Sequence, residues 1–428
     1  MSRPVRVAAV QLHAHDRGGF PSVLDGILDA ARDAARTAEL VVLPEATFPA
    51  YVLGRRPIAA DETQRAVDAL CAIARETATI IVAGIAMAKD DGSVRNGAVV
   101  VEADGSVAGS ADKLFLWHFD RHWFAPGDNI APVQTSLGTL GVLICADGRL
   151  PTIAGALVDR GASALVMPTA WVTSGRDPAA LENVQADLLA RVRAYENGVP
   201  FIAANKCGVE LGMVAYCGKS QIVAASGEVV ALANELIPET LYASISLDVP
   251  KPRRGEPVDP PARHADAMPP LRVAMSYDPL PADIDQRLEL LDDAFAIAPA
   301  DDRRFALLGA AVPAAWIDDA TALDPGGCVP YRRAGYCLLC WTSDTEQPWL
   351  ERVARARALE LRLYVVVFDR RMQRAFAVDP DGVVVAGTFD DYRIASFLLD
   401  PRKTRETAVA PGTDVQVGLE RIAAILTR

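Results

Sequence analysis

Three residues of this 428-residue chain have the side-chain types that acyl transfer through the protein itself requires: the carboxylate of Glu45, the ammonium of Lys113 and the thiol of Cys145. Cys145 lies in residues 141–151, GVLICADGRLP, where a short run of strand character (141–144) meets the turn-prone Ala-Asp-Gly-Arg-Leu-Pro. A strand end leading into a turn can present a nucleophile to a cleft while the amide N–H groups that follow stay available. On that stretch alone a buried structural cysteine is the plainer reading, because free Cys is among the most buried residue types. The partners change the weighing. Glu45 follows the apolar run 40–43, and Lys113 ends a hairpin about Asp104-Gly105, so a sheet can gather three strand ends that are far apart in sequence. A thiolate can attack an amide or nitrile carbon, a carboxylate can take the thiol proton and return it to the leaving amine, and an ammonium can steady the oxyanion.

The elements that must position these groups alternate in type. Strands are expected at 6–11, 40–43, 80–85, 96–102, 107–113, 141–144, 164–167, 200–205, 220–225 and 242–247, and helices at 22–38, 61–77, 151–161 and 182–197. Alternation mixed with hairpin strands predicts a layered α/β sandwich rather than a purely parallel sheet. Residues 250–270, dense in proline and charge, read as a linker.

A hydrophobic content of 51% with 23% charged residues is a soluble, globular balance, and the length predicts more than one domain. With 43 Lys+Arg against 55 Asp+Glu the net charge is -12, which repels phosphate backbones and anionic lipid, so neither nucleic acid nor a membrane is an expected partner. Cys337 and Cys340 have CxxC spacing, but they lie in the apolar run YCLLCW, a buried strand rather than a metal or redox site. No ligand cluster or phosphate-binding loop predicts a metal or an organic cofactor. The basic lead MSRPVRVAAVQL lacks signal-peptide shape, and the protein is expected in a reducing cytoplasm.

The second half echoes the first. RVAMSYD (272–278) matches RVAAVQL (6–12), and residues 351–370 track 190–206, with Arg355 on Arg191, Arg357 on Arg193, Glu360 on Glu196 and Asp369 on Asn205. This alignment sets Trp341 on Trp171 and the counterpart of Glu45 near Ala310. It places the shortening between Trp316 and Tyr336, about twenty residues where the first copy has over a hundred, with the counterparts of Lys113 and Cys145 lost. Glu196 is read as structural, since Glu360 persists in a copy that lacks the three reactive groups.

VVLPEATFPAY (41–51), ADKLFLWHFDRHWFAPGD (111–128) and GVLICADGRLP (141–151) resemble, in order, the glutamate, lysine and cysteine motifs of the nitrilase superfamily of carbon–nitrogen hydrolases. RAYENGVPFIAANKCG and YCGKS resemble the stretches that follow, and the likeness covers about residues 5–250. The resemblance implies a four-layer αββα sandwich, followed here by a truncated second α/β copy. It implies Glu45 as general base, Lys113 as oxyanion stabiliser, Cys145 as nucleophile and the backbone N–H of Ala146 as a second oxyanion donor. Where members commonly carry a second glutamate, this chain has Asp120, one methylene shorter. Trp117, His118, His122 and Trp171 are the candidate walls of the substrate pocket.

The expected activity is hydrolysis of a small amide through a cysteine thioester. A nitrilase proper is the runner-up, since Ala146-Asp147 stands where nitrilases usually have Trp-Glu, and an N-carbamoyl hydrolase is a third reading. A non-catalytic binding module is the reading from another class. The expected domains are 1–250 (catalytic), 251–270 (linker) and 271–428 (non-catalytic copy). The second copy is expected to act as an intrachain pseudo-dimer partner, with further homo-oligomerisation open.

Overall fold

The computed structural model of the protein describes residues 3–55, 58, 60–173, 181–263, 268–289, 294–299 and 301–428. The chain divides into two compact units, Met1–Pro252 with Ala410–Thr413 and Gly418–Arg428, and Arg253–Val409 with Asp414–Val417.

In the first unit an eight-stranded and a six-stranded sheet pack against each other. Leu40–Val42, apolar at every position and fully buried, is a central strand that pairs in parallel with Val5–His13 on one side and Ile80–Ala88 on the other. Helix Phe20–Ala35 covers this sheet. Its buried residues Phe20, Leu24, Ile27, Leu28, Ala31, Ala34 and Ala35 recur at three- and four-residue spacing, and Pro21 occupies its first turn. Helix Ala60–Thr77 packs beside it. In the other sheet Gly138–Val142, Ala164–Pro168 and Phe201–Ala204 run parallel, and Gln221–Val223 and Val229–Leu232 follow antiparallel. Helices Pro151–Asp159 and Ala190–Asn197 lie against it, which completes the αββα layering.

The second unit repeats these neighbour relations on a smaller scale. Leu271–Met275 has a parallel neighbour, Ala294–Ile297, and an antiparallel one, Ala395–Leu399. Ala314–Ile317, Leu338–Ser343 and Tyr364–Asp369 run parallel, and Arg374–Val378 and Val384–Gly387 follow antiparallel. A register shift falls between Ile222 and Val223 in one unit and between Ala377 and Val378 in the other.

Five expectations need correcting. The register pairs Leu140 with Ala164 and Leu165 with Phe201, and Ala314 with Leu338 and Leu339 with Val365. With Phe201 set on Val365, as the helix alignment requires, Ala314–Ile317 corresponds to the strand before Cys145, and Asp319 takes the cysteine's position. The shortening therefore falls between Ile297 and Ala314, and the glutamate position falls just past Ile297, not near Ala310. Trp341 stands in the place of Met167, not Trp171; a shared tryptophan suggests a match between two apolar strands, but backbone pairing sets the register.

Residues 253–270 are not a free linker. Gly255 donates to Asp324 Oδ2 at 3.0 Å and Arg263 N to Ala334 O at 2.6 Å, so the described part of this stretch is bonded within the second unit, while 264–267 lie outside the described residues. Lastly, Gly418–Arg428 belongs to the first unit, although its position in the chain had placed it with the second copy.

Candidate active site

The strand before the thiol ends at Val142 rather than Ile144, though Leu143 N still reaches Val166 O at 2.9 Å. The chain then turns sharply. Cys145 adopts φ 47°, in the left-handed region, and opens the 3₁₀ turn Cys145–Arg149. The first N–H groups of such a turn, Ala146 among them, have no partner within it. Asp147 braces the turn: its Oδ2 accepts from Ile144 N at 3.0 Å, and its Oδ1 accepts from Leu114 N at 2.9 Å and Phe115 N at 2.7 Å. One carboxylate thus ties the cysteine turn to the residues that follow Lys113.

Lys113 follows strand Val107–Asp112, and its ammonium is fully buried. It lies 2.7 Å from Glu45 Oε1 and 2.6 Å from Asp120 Oδ2. Glu45 Oε1 also accepts from Asn96 Nδ2 at 2.6 Å, while Glu45 Oε2 is buried and has no hydrogen-bond partner among the described residues. Asp120 accepts from Tyr51 OH at 2.5 Å and from Trp117 N at 2.8 Å. Its shorter side chain therefore reaches the ammonium while tied on both oxygens.

Burial works against the charge on Lys113, but Asp120, Glu45 and the Cys145 sulfur outweigh it and hold the pKa well above the ordinary lysine value. Burial and the charge of Glu45 push the Cys145 thiol up to about 12, against the pull of Lys113, the Thr169 hydroxyl and the Ala170 N–H. At rest the sulfur keeps its proton. Burial lifts Asp147 to about 7, opposed by the N–H groups of Phe115 and Ile144. A buried carboxylate beside a protonated thiol, with an ammonium close by, is an arrangement for base-assisted thiol attack on a polarised carbon.

The model of the carbon-nitrogen hydrolase family matches residues 6–253, more than half of the chain. The chain belongs to the carbon-nitrogen hydrolase family. The chain is similar to a probable nitrilase of Schizosaccharomyces pombe, 30% identical over 166 residues that make up 39% of this chain and 58% of that protein. It is similar to a nitrilase of Pyrococcus abyssi, 31% identical over 223 residues, 51% of this chain and 80% of that one. Among solved structures it is similar to a mutant amidase of Nesterenkonia sp. AN1 that shows covalent addition of the acetamide moiety of fluoroacetamide at the active site cysteine. There the TM-score is 0.51 at 25% identity, covering 57% of this chain and 90% of that one.

The pocket candidates fare differently. Trp117 is half-buried, with the Arg149 guanidinium 4.5 Å from its ring centre. His118 stacks edge-on against Phe119 at 4.6 Å, and His122 is exposed and leans on Trp123. Turn His118–His122 points its last residue to solvent, so no observed contact ties His122 to the thiol. Trp171 is buried; its N–H donates to Asn205 Oδ1 at 2.8 Å, and its indole Nε1 has no partner among the described residues.

Asn96, Tyr51 and Asp147 had no assigned role in the sequence. Tyr51 sits inside the glutamate motif and Asp147 inside the cysteine motif, so their segments were marked, but a hydrogen-bond partner cannot be read from one segment. Among the described residues no group of three or more His, Cys, Asp or Glu is placed to hold a metal ion, and no helix is long and apolar enough to cross a membrane.

Proposed function

We propose that this chain is a thiol-dependent amidase that converts a small carboxamide and water into a carboxylate and ammonia or an amine. The carrying observation is the division of labour on Glu45, whose Oε1 is held by Lys113 and Asn96 while its buried Oε2 stays unpartnered near a thiol that keeps its proton. Cys145 Sγ attacks the carbonyl carbon as Glu45 takes the thiol proton, and the carbonyl π pair moves onto oxygen. The oxyanion is met by the Lys113 ammonium and the Ala146 N–H. When the carbonyl re-forms, the C–N bond breaks and Glu45 gives its proton to the leaving nitrogen. Water then adds to the thioester, losing a proton to Glu45, and Sγ regains that proton as the C–S bond breaks. Asp120 keeps Lys113 charged and in place.

The Nesterenkonia amidase, with its covalently modified cysteine, supports this reading. The relatives named nitrilases support a nitrile as the second substrate class. A screen of small amides, carbamoyl compounds and nitriles for ammonia release, with Cys145→Ala as control, tests the proposal. Release confined to amides and abolished in the control is the expected result. Release from nitriles alone would make the chain a nitrilase, and none from any class would leave the binding-module reading standing.

A further inference from the structure

The loop that carries Lys113 and Asp120 is closed at its neck, where Gly127 N donates to Lys113 O at 2.8 Å. Two carbonyls flank this neck, those of Leu114 and Gly127, and one side chain takes both. Arg421 Nη1 donates to Leu114 O at 2.6 Å, and its Nη2 donates to Gly127 O. Arg421 lies in helix Val415–Leu426, whose residues from Gly418 onward belong to the first unit. Within the same unit a side chain at Gly418 would meet Phe115 Cε2 at 2.6 Å, so this glycine lets the helix lie close against the residue two past the lysine. Thr413, fully buried, accepts from His118 N at 2.6 Å through its hydroxyl, in the middle of the loop, where His118 holds a left-handed φ of 43°.

Opposite this contact, Asp147 accepts from Leu114 N and Phe115 N. The peptide groups beside Lys113 are thus gripped from two directions, by the cysteine turn and by a helix encoded some three hundred residues away. We propose that Arg421 is a positioning residue of the reaction. Acting through the carbonyls of Leu114 and Gly127, it fixes where the Lys113 ammonium stands relative to the thiol. The planar fork of a guanidinium suits this task, since it donates to two carbonyls at once, whereas a lysine ammonium offers a point charge. The inference rests on the proposed role of Lys113 as the oxyanion-binding cation.

The test uses the full-length chain and the best amide found by the screen, with Lys113→Met as reference. Arg421→Ala should lower kcat by about 100-fold with KM nearly unchanged, the order expected when a catalytic group shifts by about 1 Å. Millimolar guanidinium should restore part of that loss in Arg421→Ala and none in Lys113→Met. Arg421→Lys should fall between wild type and Arg421→Ala, and it carries the kcat comparison if the alanine variant does not fold. An unchanged kcat in Arg421→Ala or Arg421→Lys beside an inactive Lys113→Met overturns the positioning role and leaves the amidase reading intact. A fully active Lys113→Met removes both. A rise in KM alone, without guanidinium rescue, would make Arg421 an ordinary packing residue.

Discussion

Two strand ends in this molecule have the same local design and different side chains at the turn. Arg193 Nε donates to Gly148 O at 2.9 Å and its Nη1 pairs with Glu196 at 2.5 Å; Arg357 Nε donates to Ala322 O at 2.9 Å and its Nη1 pairs with Glu360 at 2.9 Å. Three residues before those carbonyls stand Cys145 in the first unit and Asp319 in the second, the same match that the strand register gives. Thr169 lies beside the thiol, and Ser343, its counterpart, donates to Asp319 Oδ1 at 2.5 Å, joined there by Trp341 Nε1 at 2.8 Å. Asp319 in the second unit is therefore satisfied by its own neighbours, whereas the first unit has a thiol at that position. The buried Arg–Glu brace occurs at both ends and so belongs to the scaffold, not to the chemistry. The second unit has the same Arg–Glu brace at a strand end that carries Asp319 and no cysteine.

The comparison breaks most sharply at the two equivalent positions themselves. Cys145→Ala should remove at least about 99% of turnover with the fold kept, as loss of a nucleophile does, while Asp319→Ala should leave turnover per folded molecule unchanged. Ammonia release and circular dichroism on both variants check this, and equal losses would undo the distinction between the units.

A thiol held near 12 should react with iodoacetamide roughly tenfold faster for each pH unit between 7 and 10, because the thiolate fraction keeps growing across that range. A plateau near pH 9, read by mass spectrometry of the Cys145 peptide, would mark an ordinary thiol and a different role for Glu45.

Removing one partner from a buried ion pair leaves the other charge unpaired, so Arg193→Met and Arg357→Met should each cost about 3–5 kcal/mol in denaturant unfolding. Similar costs in the two units would confirm the shared brace. A large cost at Arg193 only would tie that residue to the active unit.

The smallest effect is expected at Asp120. Its carboxylate is fully buried and held by Lys113, Tyr51 and Trp117, so Asp120→Glu should overpack the site and slow turnover by about tenfold. A faster Asp120→Glu would mean that the shorter side chain is a loss rather than an accommodation.

What could be read from the sequence was what is local. Leu40–Val42 announces a buried strand by being apolar on both faces, and Glu45, Lys113 and Cys145 each stand in a contiguous segment with its own turn residues. Asp120 was found by counting within such a segment. Asn96 and Arg421 were not, because their roles come from strand pairing and from a helix that returns from the far part of the chain. The misplacement of Trp341 has the same origin: side-chain identity suggests a match between strands, but only backbone pairing sets the register.

The return of Gly418–Arg428 to the first unit also orders events during synthesis. A ribosome adding roughly 5–20 residues per second makes Pro252 some ten to thirty seconds before it makes Gly418. During that time the sheets of the first unit can form, but the neck of the lysine loop lacks its guanidinium clamp. A nascent chain halted anywhere in the second unit would therefore carry Glu45, Lys113 and Cys145 without the guanidinium clamp, so that elongation through the second unit precedes closure of the neck.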